Sequence, residues 1–191
     1  MLIALTKKPS FLVFLGLWFI FSLYVFLSYR AIHSADEMII TPFALKIEFT
    51  FPDSWIAEFE IDRRVRNGSL RNSEFFSYVL TIATVPGINR DAAYDLADSI
   101  LESGLNINSY ESALLPLHTA ITVNNSEAVS YLLSRCADPF ALTAFGRSNN
   151  AQQTNAFELL ERLQEIDPAV DRGAVTNLMG QWKPMDECSG R

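Results

Sequence analysis

Residues 11–29, FLVFLGLWFIFSLYVFLSY, hold no charged side chain and no proline. As a helix rising 1.5 Å per residue, such a run matches roughly the 30 Å hydrocarbon core of a bilayer. A helix apolar on every side is at home in lipid, or buried inside a large protein. Six Phe or Trp residues between Phe11 and Phe26, with no polar face, favour lipid. The basic residues ahead of the run are Lys7 and Lys8, and everything after Arg30 is acidic on balance. The positive-inside tendency then puts residues 1–10 in the cytoplasm, 11–29 across the membrane as a single-pass anchor, and the remaining chain outside; the expected setting is the inner membrane of a bacterium, with that portion in the periplasm. A cleaved signal peptide is the competing reading. Its apolar core is shorter, roughly 7–15 residues, and the nearest small-residue site, Ser34-Ala35, follows the bulky His33.

Beyond the anchor, residues 31–191 carry 12 Lys or Arg against 22 Asp or Glu. That excess of acid gives no electrostatic footing for nucleic acid and suits a basic protein partner. About 160 residues suffice for one domain with a proper core. Cys136 and Cys188 are the only cysteines, so neither a disulfide framework nor a four-thiolate zinc site is available. One bridge between them is open to the chain in an oxidising compartment; two unpaired thiols, with Cys136 packed inside, is the favoured expectation.

Residues 115–140, LPLHTAITVNNSEAVSYLLSRCADPF, carry an internal pattern. Pro116 can open a helix without losing an intrahelical hydrogen bond, and Leu117, Ala120 and Ile121 follow on one face. Asn124-Asn125-Ser126 supplies turn and N-cap chemistry, after which Ala128, Val129, Leu132 and Leu133 form a second apolar stripe ending at Arg135. Leu115-Pro116-Leu117-His118-Thr119-Ala120 resembles the Thr-Pro-Leu-His-x-Ala signature of the ankyrin repeat family, and Ala137-Asp138 resembles the Ala-Asp after its second helix. The unit before it is similar: Leu96, Ile100 and Leu101, then Gly104-Leu105-Asn106-Ile107-Asn108, with Gly104 standing 32 positions before Cys136, close to the family period of about 33. Its first helix is expected over Tyr78–Ala83, before a break at Pro86-Gly87.

The expected fold is mainly α: a transmembrane helix, then a short ankyrin-like stack. Residues 31–74 are a degenerate N-terminal cap or repeat, 75–166 the ankyrin-like repeats and 167–191 a C-terminal tail. Leu45, Ile47, Phe49 and Phe51 alternate with polar residues and predict a strand near 44–51, whereas Trp55, Ile56 and Phe59 return to helical spacing. The polar run 147–155 reads as a loop, followed by an amphipathic helix on Ala156, Leu159, Leu160 and Leu163. Where this chain has Cys136 the family usually has Gly, because the helix there ends in a left-handed turn.

Chemistry has little to draw on. His33 and His118 are the only histidines; the resemblance implies a structural, hydrogen-bonding role for His118, and no cofactor or metal is expected. Asp91, Asp95, Asp98 and Glu102 line one helix face as a solvated surface, and Arg63, Arg64, Arg66 and Arg71 gather around Asn67-Gly68. The resemblance implies protein binding rather than catalysis, through turns and inner helices. Asn106, Asn108, Tyr110, Glu111, Phe140 and Phe145 are the expected partner-binding residues, with Tyr110 as anchor. An immunity protein neutralising a secreted antibacterial toxin is the first functional expectation. An assembly or protective partner of an envelope enzyme is the second, and a small hydrolase the third.

Overall fold

The computed structural model describes residues 9–45, 53–109, 114–145 and 152–183. It is mainly helical, and its contacts divide the chain into two units, Met1–Arg63 and Arg64–Arg191.

The first unit holds α1 (Pro9–His33), α2 (Glu37–Ala44) and most of α3 (Asp53–Arg66). Pro9 is the first described residue of α1. The stretch Phe14–His33 is long and apolar enough to cross a membrane, with mean hydropathy 1.6, and none of it is buried. Phe14, Leu17, Trp18, Phe19 and Ile20 are each more than 60% exposed. Ser22 returns its hydroxyl to the Trp18 carbonyl at 2.8 Å, so this helix satisfies its own polar group. Asp36 caps α2 by accepting the Met38 N–H at 2.8 Å. The strand expected near 44–51 does not start where the alternation suggested: Ala44 closes α2 and the buried Leu45 is its C-cap. Residues 46–52, the rest of that expectation, lie outside the described residues.

The second unit begins at the end of α3 and continues through α4 (Ser73–Ile82), α5 (Arg90–Glu102), α6 (Pro116–Thr122), α7 (Ser126–Ser134), the strands β1 (Thr143–Phe145) and β2 (Gln152–Thr154), α8 (Ala156–Ile166) and α9 (Gly173–Gln181). Helix starts follow local chemistry. Asn72, Asn89, Asn125 and Asn155 each cap a helix by accepting a backbone N–H, and Asn155 with Glu158 completes a capping box. α4 starts five residues before the expected Tyr78, which draws Phe75 and Phe76 into the core with no exposed surface.

The helices pack in two rows. α6 touches both α4 and α8, α7 touches α9, and α5 packs on α4 as α7 packs on α6. Val79, Ile100, Ile121, Leu132 and Leu159 fill the space between, all fully buried. The turns closing α5 and α7 match at the 32-residue spacing. Gly104 (φ 105°) and Cys136 (φ 67°) are both left-handed. Gly104 N–H bonds to Leu101 O and Leu105 N–H to Ile100 O, as Cys136 does to Leu133 and Ala137 to Leu132. Cys136 therefore accepts a conformation that a Cβ disfavours.

Three sequence expectations change here. Cys136 is disulfide-bonded rather than a packed free thiol; it sits half-exposed on a turn, where a bridge is sterically open, and Cys188 lies outside the described residues. The polar run is not loop throughout, since Gln152–Thr154 pairs antiparallel with Thr143–Phe145. The tail contains α9, whose buried Val175 and Met179 extend the core; short apolar spacing there was masked by the surrounding Gly and polar residues.

Candidate protein-binding face

A chain of small polar contacts leads from the turn after α5 to an exposed aromatic group after α7. Asn106 accepts the Asn108 N–H through its side chain at 3.0 Å, forming a tight Asx turn. The Asn108 amide then reaches 28 and 30 residues along the chain, donating to Cys136 O at 3.1 Å and accepting Asp138 N–H at 2.8 Å. Asp138 in turn accepts the Phe140 N–H at 2.9 Å, repeating the Asx turn one unit later. Pro139 is buried and its carbonyl receives the Ala156 N–H that opens α8.

Phe140 is thus held on a rigid turn with 58% of its surface exposed. Its ring lies 5.3 Å from Phe157 and 5.7 Å from Trp182, the latter edge-on at 71°. Such tilted pairs are the favoured aromatic geometry. Leu142, two residues on, is 51% exposed. A pre-ordered aromatic group of this kind costs little entropy when it docks.

Of the expected binding residues, Phe140 reaches this face. Asn106 and Asn108 support it, their side-chain hydrogen bonding being committed to the turns. Phe145 pairs its backbone with Gln152 in the β1–β2 ladder. Tyr110 and Glu111 lie outside the described residues. Phe157 and Trp182 escaped sequence reading because they are distant in the chain; the one local signal was a Trp directly after an apolar segment.

Elsewhere, charged groups link α5 to α7. Arg135 grips Asp98 with two bonds of 2.8 and 2.6 Å, Tyr131 donates to the same carboxylate at 2.6 Å, and the Arg135 guanidinium lies 5.3 Å from the Tyr131 ring centre. Burial opposes ionisation of Asp98, yet the bonds from Arg135 and Tyr131 outweigh it and hold its pKa below the ordinary value. Tyr131 is pushed up, first by burial and then by that carboxylate. The carboxylate line is therefore partly an inter-helix clasp, with Arg90 and Glu127 pairing at 2.7 Å at its other end.

His118 is fully buried. Its Nε2 meets Thr154 O at 3.2 Å, tying α6 to β2, and its Nδ1 has no partner. Burial lowers its pKa, against a smaller opposing effect of the Thr154 carbonyl. A neutral ring that donates through Nε2 to a backbone carbonyl is a structural tie. In the first unit, Arg63 clasps the fully buried Glu60 through Nε (2.9 Å) and Nη2 (2.7 Å), and His33 Nδ1 stands 3.2 Å from the same carboxylate. His33 is half-exposed and partnered by that carboxylate.

No known family, curated protein or solved structure matches this chain.

Proposed function

We propose that this chain is a membrane-tethered, ankyrin-type protein-binding module displayed outside the inner membrane, and that its partner docks on Phe140, Phe157 and Trp182. The observation that carries the binding role is the exposed Phe140 ring, backed by the partly buried Phe157 and Trp182, on a turn held by Asn108. Anchors of this kind, rigid and aromatic, supply most of the affinity in protein interfaces. The ankyrin-type reading draws support from the two rows of paired helices, from the matching turns at Gly104 and Cys136, and from His118 bonding to the backbone of the next unit.

The tether is α1, with Lys7 and Lys8 favouring a cytoplasmic N-terminus. A disulfide at Cys136 agrees with an oxidising compartment. Within this class, neutralising a basic secreted toxin is the reading that the acidic exported portion favours.

The test uses the full chain in detergent with the product of the adjacent gene. Phe140→Ala with Trp182→Ala should weaken capture at least tenfold while leaving the circular dichroism melt within a few degrees. Unchanged capture by the double variant overturns the assigned face. Alkaline phosphatase fused after Arg191 should be active; an inactive fusion overturns the topology.

A further inference from the structure

α3 runs alongside the outer half of α1 and in the same direction. The Tyr24 hydroxyl donates to Asp53 at 3.0 Å. Seven residues further along α3, Glu60 meets His33, which is nine residues further along α1. At 1.5 Å per residue those advances are about 10 and 13 Å, so the two helices keep level with one another. With about 100° of turn per residue, Asp53 and Glu60 share one face of α3, and Trp55 and Phe59 lie roughly 200–240° round from Asp53. Trp55 is 53% exposed and Phe59 is 49% exposed, whereas the intervening Ile56 and Ala57 are buried. The short helix therefore turns an i, i+4 aromatic pair away from α1, level with the stretch from about Phe26 to Arg30.

We infer that the first two turns of α3 lie in the outer headgroup layer of the bilayer that α1 crosses, with the Trp55 ring seated at the glycerol level and Phe59 one turn beyond it. This rests on the reading of α1 as a membrane span. A carboxylate is costly in hydrocarbon, and Asp53 stands beside Tyr24; the hydrocarbon must therefore end below Tyr24. From Pro9 to Leu23 is about 22 Å of helix, shorter than the roughly 30 Å average, a mismatch that local thinning of the bilayer accommodates. Thinning brings the polar layer down to Asp53 and Trp55, and an indole is the side chain that prefers that layer. The occupant of the Trp55–Phe59 face is the phospholipid around α1 itself, because any bilayer crossed by α1 surrounds a helix held at this level. The Arg63–Glu60–His33 cluster then acts as the brace that fixes α3 against the emerging end of α1.

The experiment reconstitutes the full chain in phosphatidylcholine vesicles whose acyl chains carry bromine either near the glycerol (positions 6 and 7) or deep (positions 11 and 12). One version keeps Trp55 alone (Trp18→Phe, Trp182→Phe) and another keeps Trp18 alone (Trp55→Phe, Trp182→Phe). Trp55 emission should fall at least twofold with the shallow quencher and less with the deep one, while Trp18 responds more to the deep quencher. Quenching of Trp18 with none of Trp55, which answers to aqueous acrylamide instead, overturns the inference and leaves the membrane span standing. An unquenched Trp18 removes the span and the inference together. In the unaltered chain, a phospholipid bearing a photoreactive group near the glycerol should label Trp55 or Phe59; label confined to α1 also overturns it.

Discussion

The two units place large apolar side chains in opposite ways. In α1, Phe14, Trp18 and Phe19 stand outward along the helix, whereas in the helices after Arg64, Phe75, Phe76, Ile100 and Leu132 have no exposed surface. Ion pairs differ as well. The first unit buries Glu60 completely and meets it with Arg63 and His33, while the second leaves Arg90 and Glu127 about half-exposed on its surface. Water drives the second arrangement, because removing apolar area from it stabilises the stack. The first arrangement belongs to a helix long and apolar enough to cross a membrane, where lipid would take water's place. Large apolar side chains are thus exposed all along α1 in one region and confined to a few positions such as Phe140 and Leu142 in the other.

The same substitution should separate the regions most sharply. Leu132→Asp puts an unpaired charge into the core of the stack and should destabilise it by roughly 4 kcal/mol, read from circular dichroism melts of the full chain in detergent. Leu17→Asp should leave that melt unchanged and weaken membrane insertion by about 3 kcal/mol, seen as release by carbonate washing. Equal effects on the melt would erase the distinction between the units.

A smaller contrast concerns ion pairs. Arg63→Ala leaves the buried Glu60 carboxylate short of its two-bond partner and should lower the melting temperature of the first unit, monitored through hydrogen exchange of α3. Arg90→Ala breaks an exposed pair with Glu127 and should barely move the stack. The reverse ranking would show that burial of Glu60 is not what makes its contacts count.

The mildest expected effect is on pH dependence. Because the folded pKa of His118 lies below the model-peptide value of 6.5, the unfolded chain takes up a proton that the stack does not. Stability of the second unit should therefore be level above about pH 6.5–7 and decline as pH falls through that range. His118→Gln keeps a donor for Thr154 without titrating and should flatten that decline. Asp98, whose folded pKa is depressed, adds a further loss only below about pH 4. An unchanged slope in His118→Gln would mean that the ring titrates in the folded stack as it does in water.

Some of this was legible because it is local. The apolar run of α1, the Asn125 cap, Pro116 at the start of α6 and the stripes of α7 and α8 depend on residues three or four apart, and local patterns report them directly. The left-handed turn at Cys136 was legible through the resemblance to the ankyrin repeat, which usually has Gly there. The alternation from Leu45 onward misled at its start because Asp36 caps a helix that carries through Ala44 despite Pro42. The β1–β2 pair escaped because three-residue strands carry too few side chains for a pattern, and α9 because its apolar positions are only Val175 and Met179.

By itself, then, the sequence determined where α6 and α7 begin, which faces of α6, α7 and α8 are apolar and which segment is fit for lipid. Those properties follow from the backbone's few allowed conformations and from side chains within one or two turns. The tertiary structure alone decided that Glu60 is buried beneath Arg63 and His33, that His118 bonds to Thr154, that Asn108 clamps the following turn, and that Phe140 meets Phe157 and Trp182. Most of these contacts join residues from 17 to 42 positions apart. They exist only once loop closure has been offset by the packing of many other side chains, a balance that no short window of sequence contains.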